Sequence, residues 1–103
     1  MYDFYDLEDL VFEWASERGI IKNGTAMAQA IKTTEEVAEL LKALSKNDRA
    51  EVRDAYGDIL VTLIIGAAIS EVDLVGCLND AYETIKDRKG YLTPDGIFVK
   101  EET

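Results

Sequence analysis

Residues 29–41, with the sequence QAIKTTEEVAELL, determine the predicted fold. They lie in a longer run, residues 26–44, that contains neither Gly nor Pro and consists mostly of good helix formers, and Thr25 precedes this run as an N-cap. The segment therefore predicts a helix that ends near Ser45. At about 100° per residue, four of its polar side chains fall within one stripe roughly 80° wide, with Glu35 at the margin: Gln29, Lys32, Glu36 and Glu39.

A second acidic cluster lies on the next predicted helix, which runs from about Arg49 to Ile69 or Ser70. The short connection, residues 45–48, makes the two helices antiparallel neighbours. On the second helix, three carboxylates fall within about 60° of one another: those of Glu51, Asp54 and Asp58. The following residues are almost all apolar, and a helix that is apolar on all sides must be covered on all sides. In so short a chain this predicts that residues 59–69 are buried in a subunit interface.

The N-terminal segment also has the pattern of an amphipathic helix. Apolar residues recur at the spacing of one helix face between Leu7 and Arg18, with Trp14 among those expected in the core, and Asp6 is a suitable N-cap. Gly19 ends this helix as the left-handed residue after its last turn. We expect residues 20–24 to be a connection.

The C-terminal third predicts one more helix and a short extended segment. Asp73 is the expected cap of a helix from Leu74 to about Lys89, and Gly90 stops it. The last thirteen residues predict a small hairpin or extended arm that turns at residues 94–96. Together the segments predict a single all-α domain spanning residues 1–103, a four-helix antiparallel bundle with a C-terminal arm.

Composition excludes several classes of function. Acids outnumber bases 21 to 11, and the net charge of −10 would repel a phosphate backbone, so we expect no nucleic-acid partner. One cysteine and no histidine exclude a disulfide framework, the usual zinc sites and a di-iron bundle. The acidic N-terminus is unlike a signal peptide, and no apolar run reaches the roughly 20 residues of a membrane span, which predicts a cytoplasmic protein.

The two acidic clusters together predict a site for a hard cation. A single Glu-Glu-x-x-Glu on a helix is typical of a solvated face, but Asp54 and Asp58 lead into a helix expected to be buried, where an unpaired carboxylate is costly. Residues three or four apart on a helix have neighbouring side chains, so each pair of acids can converge between two packed helices. Magnesium needs only one or two carboxylates per ion, with water and substrate phosphates completing its shell.

The same residues resemble the MazG-like family of all-α nucleotide pyrophosphohydrolases, and the short, phage-type members in particular. Residues 29–40 resemble the family's first motif, two adjacent glutamates and a third after a two-residue gap. Residues 54–61 resemble the second, an acid followed by Gly-Asp and apolar residues, and residues 81–100 resemble the tail of the short members. One position departs from the family's second motif: the family has Glu three residues before the Asp that corresponds to Asp58, and this chain has Ala55 there. Asp54 or Glu51 can substitute for it.

The resemblance implies a Mg²⁺-dependent hydrolase, with Mn²⁺ as an alternative ion, that cleaves a nucleoside triphosphate between the α- and β-phosphates. It implies Glu36, Glu39, Asp54 and Asp58 as metal ligands, and Glu35 as either a ligand or the base that holds the attacking water. Further candidates would contact the phosphates or the nucleotide: Lys32, Asn79, Lys86, Arg88 and Lys89.

Other interpretations stay open at this point. A non-catalytic helical homo-oligomer could bind a nucleotide or a protein partner, and the departure at Ala55 favours it. A dUTPase-like or phosphoribosyl-ATP-hydrolysing relative would share the acidic centre and differ in base or sugar. We expect a homodimer or homotetramer and no membrane partner.

Overall fold

The computed structural model describes residues 1–101, and helices make up most of it. The helices are α1 (Phe4–Glu17), α2 (Ile20–Asn23), α3 (Ala26–Ser45), α4 (Arg49–Ile69) and α5 (Leu74–Ile85). Two antiparallel strands, β1 (Gly90–Leu92) and β2 (Phe98–Lys100), form a terminal hairpin. The all-α class and the predicted hairpin are confirmed; residues 102 and 103 of the predicted arm lie outside the described residues.

Helix α4 is the centre of the fold, and each of the other four helices contacts it. Its closest neighbour is α3. A Cβ built on Gly66 would lie 3.4 Å from Cβ of Gln29, and the hydroxyl oxygens of Thr33 and Thr62 are 2.7 Å apart. Positions rise along α3 as they fall along α4, so the predicted antiparallel pair is confirmed.

A short turn with a defined capping pattern joins α3 to α4. Asn47 adopts a left-handed φ of 57°, and the N–H of Asp48 donates back to the carbonyl of Ala43 at 3.1 Å. The Asp48 carboxylate then accepts from the N–H of Glu51 at 3.1 Å and caps α4. The turn therefore folds the chain back at once and places the acids of α4 beside those of α3.

The caps of the other helices confirm some predictions and correct others. Thr25 caps α3 as predicted, since its hydroxyl accepts from the N–H of Ala28 at 3.0 Å. The predicted cap Asp6 is wrong: the Asp3 carboxylate accepts from the N–H of Asp6 at 2.8 Å, so α1 begins one turn earlier. Gly19 has the predicted left-handed φ, of 75°.

The connections contain two further differences from the prediction. Residues 20–23 form a single helical turn rather than a plain link. Helix α5 begins after Asp73 as predicted but ends at Ile85, and the Asp73 side chain makes no capping hydrogen bond. No apolar residue lies between Ile85 and Gly90 to hold another turn against the fold, and Gly90 starts β1 instead of stopping the helix.

Helix α5 turns sharply away from α4. The left-handed Glu71, with φ 58°, follows the end of α4, and the two helices meet at 105°. In residues 1–101, no single helix is both long enough and apolar enough to meet the criteria for a membrane span. Among the described helices, α4 and α5 meet these criteria only when they are counted together as one bent pair. α5 contacts only α4, and the hairpin packs on none of the described helices.

The buried core of the single chain is small. It contains six apolar residues and one polar one, Thr62: Ala15, Ala43, Val52, Ala55, Ile64 and Ile65. Trp14 is 46% exposed, with the Arg18 guanidinium 4.4 Å from its ring centroid, so its predicted core position is wrong for the single chain. Part of residues 59–69 is already buried by the chain's own helices, while Leu60 and Leu63 stay exposed.

Gly57 offers a test of the helix assignment. It lies in the middle of α4, and a Cβ added there would meet nothing within 4 Å. Because glycine inside a helix costs roughly 0.5–1 kcal/mol relative to alanine, we expect Gly57→Ala to raise the melting temperature by a few degrees. Circular-dichroism melts check this, and a lower melting temperature would contradict the open, helical environment that the structure gives Gly57.

Candidate metal centre

Carboxylates from α3 and α4 line one cleft between the two helices, which we call the acid cleft. Its volume is about 140 Å³. The acid cleft contains all four residues predicted as metal ligands, together with Glu51 and Ala55: Glu36, Glu39, Asp54 and Asp58. Two segments that are distant in sequence are thus brought to one place by the antiparallel pairing.

The acid cleft suits a hard divalent cation by its donor chemistry. Its polar donors are carboxylate oxygens, which are the ligands that Mg²⁺ and Mn²⁺ prefer. The Glu36 side chain is 17% exposed, while Glu39, Asp54 and Asp58 are exposed. Within residues 1–101, no three of these side chains already converge in metal-binding geometry. A cation would therefore gather ligands that the backbone has placed close together.

Lys32 lies at the rim of the acid cleft. Its Nζ is 3.5 Å from Oε2 of Glu35 and 3.8 Å from Oε1 of Glu36. Glu35 does not line the cleft, and its side chain is 62% exposed. Lys32 therefore links the exposed glutamate, predicted as ligand or base, to the more buried one.

Position 55 faces the acid cleft although it carries only a methyl group. Ala55 is 4% exposed and lines the cleft between α3 and α4. Glu51, which the sequence suggested as one substitute for the missing family glutamate, lines the same cleft as Asp54, the other substitute. Glu51, Asp54 and Asp58 are three and four residues apart, and this spacing indicates from the sequence that their side chains share one face of α4.

A threonine pair fixes the register of the acid cleft. Thr62 is buried, and its hydroxyl contacts that of Thr33 one turn from Glu36 and Asp58. Thr33 also lies 2.9 Å from the carbonyl of Gln29, and Thr62 lies 2.7 Å from the carbonyl of Ile59. Sliding α3 along α4 would break the contact between the hydroxyls, so this contact favours the register in which the two acidic clusters lie opposite each other.

The predicted nucleotide contacts near the C-terminus lie away from the acid cleft. Arg88 and Lys89 line clefts beside the hairpin together with Glu101, and Lys86 pairs with Glu83 at 2.6 Å. Asn79 is exposed on α5, which does not contact α3. Of the five predicted substrate contacts, the described chain brings only Lys32 next to a residue of the acid cleft.

Comparison with known proteins agrees with the geometry. The family model of the MazG nucleotide pyrophosphohydrolase domain matches residues 25–91, which include both helices of the acid cleft. A protein of Haemophilus phage HP1 (strain HP1c1), described as an uncharacterized 18.2 kDa protein in the rep-hol intergenic region, is 32% identical over 75 residues. That match covers 73% of this chain and 46% of the phage protein, so the chain spans about half of that relative's length. No solved structure matches. The chain belongs to the MazG nucleotide pyrophosphohydrolase family.

Proposed function

We propose that this protein is a Mg²⁺-dependent nucleoside triphosphate pyrophosphohydrolase that cleaves between the α- and β-phosphates and releases a nucleoside monophosphate and pyrophosphate. Enzymes of this family generally hydrolyse phosphoanhydrides of nucleotides and depend on divalent metal. The observation that carries the proposal is the acid cleft, in which five carboxylates from two helices lie together. An acidic cleft of this kind binds a triphosphate only when cations lie between the two sets of negative charges.

The carboxylates in the acid cleft would act as metal ligands, and a carboxylate beside it would handle the proton of the attacking water. Glu36, Glu39 and Asp58 would hold Mg²⁺ or Mn²⁺, and Asp54 or Glu51 would complete the set. A bound divalent ion neutralises phosphate charge and lowers the pKa of a coordinated water. Glu35, which is exposed beside the cleft, would orient the attacking water and accept its proton, or serve as a further ligand.

Lys32 would exchange its carboxylate partners for phosphate oxygens. Its ammonium group lies 3.5 Å from the Glu35 carboxylate and 3.8 Å from that of Glu36, and a triphosphate at the cleft would compete with them for this positive charge. Asn79, Lys86, Arg88 and Lys89 remain candidates for contacts to the nucleotide from a second copy of the chain, because none of them lines the acid cleft of its own chain.

A second candidate function is binding without catalysis by the same fold. Ala55 faces the cleft where the family has glutamate, and the loss of that oxygen donor favours a homo-oligomer that binds a nucleotide or a protein partner. A dUTPase-like or phosphoribosyl-ATP-hydrolysing specificity is the other alternative.

Pyrophosphate release tests the proposal. Purified protein is incubated with Mg²⁺ and a panel of ordinary and deoxy nucleoside triphosphates, with dUTP and phosphoribosyl-ATP included, and pyrophosphate and orthophosphate are measured separately. We expect pyrophosphate from at least one substrate, and none after chelation of the metal. No release from any substrate, with Mg²⁺ or Mn²⁺, would favour the non-catalytic alternative.

We also propose that the protein acts as a single-domain homodimer or homotetramer in the cytoplasm, where nucleotide substrates are available. The chain exposes 8136 Å². A folded monomer of 11.5 kDa exposes only about 5,800 Å². The excess surface supports self-association, because a partner copy would cover part of it.

A further inference from the structure

We infer that this chain has a nucleotide-binding site apart from the acid cleft, an open cleft at the start of α4 that binds a nucleoside monophosphate without metal. We call it the arginine cleft. Its volume is about 640 Å³, within the range of roughly 300–1,000 Å³ that is usual for small-molecule sites. Five residues from the end of α3 and the first turns of α4 line it: Leu44, Arg49, Val52, Arg53 and Tyr56. The inference concerns binding and does not rest on the proposed reaction.

The arginine cleft and the acid cleft lie on opposite sides of α4. At about 100° per residue, Arg49, Arg53 and Tyr56 fall within about 60° of one another, and their common direction is roughly opposite that of the acids on the same helix. Among the described residues, those that line the arginine cleft include no carboxylate. An anion can therefore approach it without the bridging cation that the acid cleft requires.

The two arginines have no ion-pair partner of their own. Neither forms an ion pair within residues 1–101, although acids outnumber bases 21 to 11 in the sequence. Asp48, next to Arg49, caps α4, and Asp54, next to Arg53, lines the acid cleft on the other side. Two cations four residues apart repel each other, and a cation in the first turn opposes the helix dipole. A bound anion would relieve both effects.

The chemistry of the arginine cleft fits a nucleoside monophosphate. Side chains four residues apart are neighbours, so both guanidinium groups can reach one phosphate, whose oxygens they bind in pairs. A phosphate monoester carries about −1.5 to −2 charges at pH 7, which two arginines balance. A triphosphate would bring further negative charge to a chain whose net charge is already −10. Tyr56 is 55% exposed and Leu44 is 46% exposed, so a base meets an aromatic ring and an apolar neighbour.

Calorimetric titration without metal tests the site. Protein in EDTA is titrated with AMP, CMP and dUMP, and separately with inorganic phosphate and with the matching nucleosides. We expect at least one monophosphate to bind with a dissociation constant below about 1 mM, and about tenfold more tightly than inorganic phosphate or its own nucleoside. The acid cleft does not contribute, because without a cation its carboxylates repel the phosphate.

Variants assign the binding to the arginine cleft. Arg49→Gln with Arg53→Gln should raise the dissociation constant of the monophosphate at least about 10-fold. The matched control, Lys42→Gln with Lys46→Gln, removes two exposed cations four residues apart that lie outside the cleft, and should change it less than about threefold. Tyr56→Leu should weaken monophosphate binding about fivefold or more and leave inorganic phosphate binding unchanged, while Tyr56→Phe should preserve both.

Three results would overturn the inference: no binding of any monophosphate, binding that the double arginine variant retains, or an equal loss in the arginine and lysine variants. Circular dichroism checks that the exposed substitutions keep the helix content. Pyrophosphate release with Mg²⁺ is measured separately. An inactive protein that binds a monophosphate without metal argues only against the proposed reaction, and an active protein that does not bind it argues only against the arginine cleft.

Discussion

Replacing Glu36 and Glu39 together with glutamine should lower pyrophosphate release at least about 100-fold. Both residues line the acid cleft from α3, and the change removes two negatively charged donors while keeping side-chain volume. Losing even an outer-shell partner of a metal ligand costs about 10- to 100-fold in activity or affinity, so losing two direct ligands should cost at least the product of two such effects. Initial rates at saturating Mg²⁺ and nucleotide measure the loss.

The matched control removes two charges from another helix. Glu13 and Glu17 are exposed on α1, outside the acid cleft, and Glu13→Gln with Glu17→Gln should keep the rate within about twofold. Far-ultraviolet circular dichroism should give the same helix content for both double variants. If the Glu36 and Glu39 variant kept its activity, the reaction centre would lie elsewhere.

Magnesium should raise the melting temperature of the protein by about 5–10 °C. Without a cation, the five carboxylates of the acid cleft repel one another, and Lys32 at the rim offsets only part of that charge. A ligand at ten times its dissociation constant stabilises the folded state by about 1.4 kcal/mol. In a domain of about 100 residues, each kcal/mol shifts the midpoint by roughly 4–8 °C.

Two controls separate binding from general screening of charge. Sodium chloride at matched ionic strength should give a much smaller shift, and a chelator should reverse the effect of magnesium. The Glu36→Gln, Glu39→Gln variant should melt higher than wild type without metal, because it lacks two like charges, and should respond little to magnesium. Equal shifts in the variant and in wild type would exclude the acid cleft as the cation site.

Helices α3 and α4 could be predicted from the sequence almost to the residue. Thr25 is a strong cap, and no Gly or Pro interrupts residues 26–45. Because the connection at residues 45–48 is short, it predicts that α4 runs antiparallel to α3. Local signals therefore agreed with the tertiary structure over the segment that holds the candidate site.

The ends of the chain were less predictable because local signals compete there. Asp3 and Asp6 are both suitable caps, and only the structure shows that the earlier one accepts the hydrogen bond. Basic residues after Ile85 are compatible with a helix, yet they have nothing to pack against, so the helix ends. Trp14 has the spacing of a core residue, but the single chain does not cover it.

The acid cleft could be predicted as two faces, but not as one assembled site. Helical spacing groups Glu36 with Glu39 and Asp54 with Asp58, because neighbours on a helix face are fixed by the helix itself. The alignment of the two faces depends on how α3 packs along α4, as the Thr33–Thr62 contact records, and spacing within one helix cannot indicate it. For the same reason the separation of Arg88 and Lys89 from the acid cleft appears only in the folded chain.

Iron-directed cleavage tests most directly whether the acid cleft is the cation site. Fe²⁺ substituted for Mg²⁺, with ascorbate and peroxide, cuts the backbone beside the bound ion, and mass spectrometry locates the cuts. We predict two groups of cuts, near residues 36–39 and 54–58, that disappear with excess Mg²⁺ and in the Glu36→Gln, Glu39→Gln variant. Cuts elsewhere in the chain, or cuts that neither excess Mg²⁺ nor the variant removes, would contradict the assignment.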